Sequence, residues 1–427
     1  MKITDNVLLR AILLVFCIQF GYMFLFCLWP YIHYGSNLPG LYWKPNDPYA
    51  DLIKYGLSIK ELFTGFEDTE NFSKLNDIYK TYWLNNPYKG IDGVITGAMH
   101  THFLHPPFYF FISIFFTFVL TYTGSVDFTV ILFYFSALAI FVMLMRFLRF
   151  SIKDSVLAIL LYALCYPTVF AFIRGNISLF TSTIYCAVII IFSINKKSWT
   201  GNILAALTIP LRLPSIIFLG ILHKNNNISS WKFLIKHSLI ILVLISITSA
   251  TLFFIAGYIY PDFTFKNYLK ASSNFVNIFC FTGGDGISLQ NISILAFLGN
   301  IGVKNILLKK SLYIIISALF TFLSAVIIYK NIQNNVVKSF VLISLYCLVC
   351  PITVAYHLHI FLAPILLMRY YKVDTESCYN YRVILSVSAI MLSPFPPIIW
   401  WSYLFHIVLF SSIIILFVLS VKPLSQK

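Results

Sequence analysis

The chain has 427 residues, of which 59% are hydrophobic, 18% aromatic and only 11% charged, with a mean hydropathy of +0.84. This composition excludes a soluble globular domain, and the scatter of basic residues, with no run of five or more, points away from nucleic acid as a partner. The net charge of +15 fits loops held at an anionic leaflet, which makes membrane lipid the first partner to expect.

At about 20 apolar residues per span, the length holds roughly ten to twelve helices and little else. The expected fold is an all-α polytopic transmembrane bundle, with residues 1–427 forming one integral membrane domain. Residues 11–29 are apolar and long enough to span. No small-residue cleavage site precedes Pro30, so the segment reads as an uncleaved first helix with a cytoplasmic N-terminus.

Residues 31–105 then form a large outer loop. The stretch from Lys44 to Pro107 holds eight of the fifteen acidic residues, Asp47, Asp51, Glu61, Glu67, Asp68, Glu70, Asp77 and Asp92. Within it, Leu52, Tyr55, Ile59, Leu62 and Phe63 recur at helical intervals, as in an amphipathic helix lying on a membrane surface. Asp47 and Asp51 stand four residues apart, and a carboxylate at such an interface is suited to act as general base on a hydroxyl. Helix capping and solvation are the competing account of both.

His102 and His105 precede Pro106-Pro107, a pair tolerated at a helix start because the first N–H groups have no intrahelical acceptor. Apolar segments follow at about 106–122, 128–145, 155–173, 177–194, 203–222 and 234–258. After a loop near 259–305 come 311–329, 339–356, a short piece at 358–368, then 383–401 and 404–421. Strict alternation from a cytoplasmic N-terminus places Arg146, Arg149, Lys153, Lys196 and Lys197 outside, against the positive-inside tendency. Either one segment is re-entrant or those cations serve anionic ligands.

Four further places carry polar side chains between apolar runs. Arg174-Gly175-Asn176 sets a cation and a flexible glycine at a helix junction, which suits a phosphate. Arg212, beside Pro210 and Pro214, costs about 2.5–3.5 kcal/mol on insertion scales, so either an anionic partner or snorkelling to the interface explains it. The segment 283–293 includes Gln290 and Asn291, able to bond sugar hydroxyls or simply to turn. His357 and His359 sit in an apolar segment after Pro351 and Thr353, too few for a metal site.

In this order, Asp51-Leu-x-x-Tyr55, His105-Pro106-Pro107, Arg174-Gly-Asn176, Arg212-x-Pro214, Asn291-x-Ser293 and Pro351-x-Thr353 with His357 resemble the GT-C membrane glycosyltransferases. The nearest branch is glycosyltransferase family 87, polyprenol-phosphate-dependent and mannosyltransferase-like. The likeness covers most of the chain in short motifs, with His105 where the family commonly has Tyr and Arg212 where it has Lys.

The resemblance implies a GT-C-like fold and an inverting transfer of a sugar from a polyprenyl-phosphate donor to a glycan or glycolipid acceptor. Asp51 would be the base, with Asp47 auxiliary. Arg174, Arg212 and His357 would hold the donor phosphate, and His105, Asn176, Gln290 and Asn291 the substrate. No metal or other cofactor is required, because the leaving group is already an anion. The place would be a bacterial inner membrane, with the site facing the periplasm or exterior. An O-antigen-type polymerase and a polytopic transporter are the alternatives.

Overall fold

The computed structural model describes residues 6–24, 107–176, 178–194, 231–259, 264–269, 293–331, 334–350, 355–375, 378–393 and 399–421. In chain order the helices are α1 (Val7–Met23), α2 (Pro107–Thr123), α3 (Val126–Phe147), α4 (Ile152–Leu164), α5 (Tyr166–Arg174), α6 (Ser178–Ile194) and α7 (Trp231–Ile259). Then follow α8 (Ile294–Asn300), α9 (Ile306–Lys330), α10 (Asn335–Val349), a 3₁₀ helix (Ala355–Phe361), α11 (Leu362–Tyr370), α12 (Tyr379–Met391) and α13 (Ile399–Val421). The described residues contain no strand, as the composition predicts. Among them α3, α9 and α13 are long and apolar enough to cross a membrane, and the bent pair α4–α5 makes a fourth if taken as one span.

α10 is the central pillar. Every residue from Val336 to Leu348 is buried, including Lys338, and so is Leu362–Met368 of α11, which packs on it. A helix covered on all sides has no use for an amphipathic pattern. In lipid, its stability comes from packing and hydrogen bonds, because moving Leu from a tail environment to a protein interior gains little transfer energy.

Side-chain hydrogen bonds fix the direction of the helices. The Asn6 amide, capping α1 through Leu8 N, reaches Asp154 Oδ1 at 3.1 Å, while Gln19 Nε2 meets the Leu164 carbonyl at 2.8 Å, so α1 and α4 run parallel. α2 and α3 form a hairpin through Gly124, with the rings of Phe116 and Phe133 stacked. α3 turns into α4 through Leu148–Ser151. One end of the bundle therefore gathers the start of α1, the α3–α4 turn, the α9–α10 turn and the stretch from α11 to α12.

That end is basic. It carries Arg10, Arg146, Arg149, Lys153, Lys330, Lys338, Arg369, Lys372 and Arg382 against Asp154 and Asp374. The strict-alternation topology is corrected here: Arg146, Arg149 and Lys153 share the end of the bundle with the beginning of α1. Phe24 closes α1 at the opposite end, whereas Pro107 opens α2 at the basic end, so α2 runs in the direction opposite to that of a helix entering from the far side. Lys196 and Lys197 lie outside the described residues, just beyond the end of α6.

Two segment boundaries also differ. The run 155–173 is two helices meeting at Cys165 with a 58° bend. Pro167 explains the break: in the first turn of α5 it lacks the N–H that would continue the ladder from α4, and Cys165 between the two helices is extended (φ −68°, ψ 140°). The Tyr166 N–H turns instead to the Leu392 carbonyl at 2.9 Å. The runs 383–401 and 404–421 divide differently as well. α12 stops at Met391, shortly before Pro394, and α13 continues unbroken across 401–404.

Candidate functional site

The break at Cys165 creates a polar pocket of side chains inside an apolar bundle. Cys165 Sγ stands 3.1 Å from Thr168 Oγ1 and 3.2 Å from the Tyr162 carbonyl, which the break has freed from its usual helical partner. Tyr162, fully buried and stacked on Phe141 at 4.4 Å, places its hydroxyl 2.9 Å from Thr183 Oγ1 on α6. Thr183 in turn lies 3.5 Å from His359 Nε2, and the His359 and Tyr162 rings meet edge to face at 6.3 Å.

Proton accounting orders this chain. The single Thr183 hydrogen is engaged by the Leu179 carbonyl at 2.7 Å, so Tyr162 donates to Thr183. The Thr183 oxygen then faces His359 as an acceptor. Donation across this longer contact places a hydrogen on Nε2.

Beyond α5 the backbone reverses at Gly175, in the left-handed conformation at φ 63°, with Asn176 N returning to the Ala171 carbonyl at 2.9 Å. Arg174 is the last residue of α5. Asn176 is buried and accepts the Leu179 N–H at 3.1 Å, so it opens α6. Both α5 and α6 pack on the 3₁₀ helix, where His357 and His359 are buried. Three of the expected residues, Arg174, Asn176 and His357, thus stand on neighbouring elements. Asp47, Asp51, His105, Arg212, Gln290 and Asn291 lie outside the described residues, as do the acidic segment and its expected amphipathic helix.

A second polar junction holds the end opposite the basic one. Ser293 caps α8 through Ala296 N at 3.2 Å, and its carbonyl lies 3.0 Å from His406 Nε2 on α13. The Tyr403 hydroxyl bonds the Asn300 carbonyl, and Lys309, buried, lays its ammonium against Gly299, where a Cβ would come within 3.0 Å.

Sequence reading singled out neither Tyr162 nor Thr183, and it passed over His359 in favour of its neighbour. The available signal was Pro167 within an apolar run, since a proline there breaks the span and leaves carbonyls needing partners. It also missed the Asp154–Arg369 pair at 2.7 Å, for which the clue was an acid standing close to apolar sequence in a chain poor in acids. Comparison of the chain with family models, with curated proteins and with solved structures finds no match.

Proposed function

We propose that this protein is a membrane glycosyltransferase that moves a hexose, with mannose the first sugar to try, from a polyprenyl-phosphate donor to a glycan or lipid-linked acceptor. The observation that supports it most is the interrupted span α4–α5. It ends at Arg174-Gly175-Asn176 and packs on the helix bearing His357 and His359, so polar groups gather within an apolar bundle where a lipid-linked phosphate could dock. By the positive-inside tendency the basic end faces the cytoplasm of a bacterial inner membrane, and chemistry takes place toward the other face.

In the proposed reaction, the acceptor hydroxyl oxygen attacks the anomeric carbon as the bond from that carbon to the donor phosphate oxygen breaks, with inversion. Asp51, or Asp47 in its place, takes the hydroxyl proton. Arg174, Arg212 and His357 bind the departing phosphate, for which guanidinium offers a fixed fork of donors. Asn176, Gln290 and Asn291 bind sugar hydroxyls, whereas His105, which precedes the start of α2 at the basic end, is left out of that set. No metal is called for, since the leaving group departs as an anion already paired with cations.

The test compares membranes carrying the wild type or Asp51→Asn, each supplied with polyprenyl-phosphate sugars and, in parallel, nucleotide sugars. Transfer from the lipid donor that falls at least a hundredfold in the variant supports both the class and the base. Undiminished transfer moves the base to Asp47, and absence of transfer from either donor sinks the reading. A transporter is the second reading, because interrupted helices also build substrate sites in transporters, and uptake of labelled sugars into vesicles would then exceed any transfer.

A further inference from the structure

Two residues other than glycine adopt left-handed backbone conformations among the described residues, and both are cations at the same end of the bundle. Arg149, at φ 53°, ends α3, and Lys372, at φ 50°, follows α11. The two turns share one hydrogen-bond pattern. Arg149 N bonds the Arg146 carbonyl and Phe150 N that of Met145; Lys372 N bonds the Arg369 carbonyl and Val373 N that of Met368. Glycine is the usual occupant of this position at a helix end, because a Cβ there is strained. Strain held twice, for the same kind of side chain in the same kind of turn, points to a use for the charge.

The two turns are also adjacent. Arg369, three residues before Lys372, bonds Asp154 Oδ2 at 2.7 Å, and Asp154 lies at the start of α4, just after the Arg149 turn. This bridge occupies the Asp154 carboxylate, which Ser151 and Asn6 also bond. Around it Arg146, Arg149, Lys153 and Lys372 are all exposed, with Asp374, two residues beyond Lys372, the one other carboxylate of the α11–α12 stretch among the described residues. Ile152, 86% exposed, and Phe147 stand among the cations, and exposed Tyr370, Tyr371 and Tyr379 border the second turn. Cations mixed with apolar and tyrosine side chains are the composition of a membrane–water interface, not of a nucleic-acid groove.

We infer that the paired α3–α4 and α11–α12 turns form a binding site for the phosphate headgroup of an anionic phospholipid, held by Arg146, Arg149, Lys153 and Lys372. Its acyl chains lie along the exposed Met143 and Phe147 side of α3. The inference is independent of the proposed transferase activity, since it concerns the basic end of the bundle and not the break at Cys165 or the Arg174–Asn176 junction.

The test uses the full chain purified in neutral detergent and given phosphatidylglycerol or phosphatidylcholine. Native mass spectrometry counts retained lipid, and the thermal unfolding midpoint is followed in parallel. The wild type should retain phosphatidylglycerol preferentially and unfold at a higher temperature with it, with a preference that shrinks as salt is raised. Each cation removed should lower retention about fivefold. The variant Arg146→Gln/Arg149→Gly/Lys153→Gln/Lys372→Gly should lose the preference while its midpoint in phosphatidylcholine holds or rises, because glycine relieves both backbones.

A wild type that retains both lipids equally, or a variant that keeps the wild-type preference, overturns the site. A variant whose midpoint falls in phosphatidylcholine shows that these cations serve the fold, and overturns it too. Arg149→Gly alone supplies a second reading, expected to lose about fivefold in retention with no loss of stability.

Discussion

The basic end and the interrupted span solve the same problem, polar groups next to lipid, by opposite means. At the basic end, charged side chains from distant parts of the sequence are joined directly: Asn6, Ser151 and Arg369 all bond Asp154, while Arg10 and Arg382 both bond Thr375, at its hydroxyl and carbonyl respectively. At the break itself the polar groups that meet are a tyrosine, two threonines, a thiol and a histidine, and they close a gap in the helix next to Pro167. The contrast extends to the backbone. Left-handed helix ends are filled by Arg149 and Lys372 at the basic end but by Gly175 near the break. Arg146, Arg149, Lys153 and Lys372 stand exposed at the basic end, whereas the groups that close the break can be buried without a counter-ion.

The largest expected effect breaks the charged side of this comparison. Arg369→Met leaves the Asp154 carboxylate, 7% exposed, without its cation, and the cost should be about 3–5 kcal/mol of unfolding free energy. Asp154→Asn in the same chain removes the stranded charge and should recover most of the loss. Chemical denaturation of the purified protein reads both. If Arg369→Met alone costs less than 1 kcal/mol, the pair behaves as an exposed surface bridge and does not fasten α1, α4 and α11 together.

The neutral side should respond more gently and with a different pattern. Thr183→Val keeps the shape of the side chain but leaves the buried Tyr162 hydroxyl without its acceptor, for about 1–3 kcal/mol. Adding Tyr162→Phe removes the orphaned group, so the double variant should be more stable than Thr183→Val alone. Strict additivity of the two changes would show that the hydroxyls are not coupled and that the break is held by packing alone.

Much of this is legible in the sequence, and the physical reasons differ by element. Long apolar runs announce their helices because lipid forces each backbone group to bond within its own segment, so α3, α9 and α13 follow from composition. Direction was not legible. Alternation counts segments and is inverted by one miscount, whereas Asn6, Gln19 and Arg369 fix direction through contacts spanning more than a hundred residues of sequence. Of the candidate residues, Arg174, Asn176 and His357 were singled out by type and position, because a polar residue between apolar helices stands out, and they fall on neighbouring elements. Thr183 and Tyr162 were not, because a threonine or tyrosine in an apolar run carries no mark until its partner is known.

The smallest effects sharpen the comparison at the backbone itself. Gly175 and Arg149 share nearly the same left-handed backbone, φ 63° and φ 53°, so exchanging residue types should give changes of opposite sign. Gly175→Ala puts a Cβ where the conformation disfavours it and should cost about 1–2 kcal/mol. Arg149→Gly removes that strain but gives the unfolded chain more freedom, so its net gain should be less than about 1 kcal/mol in neutral lipid. Unfolding midpoints measured side by side decide it. A loss of stability in Arg149→Gly would mean that the guanidinium holds the turn together, and the two ends of the molecule would then differ in what supports their backbones as well as in their charge.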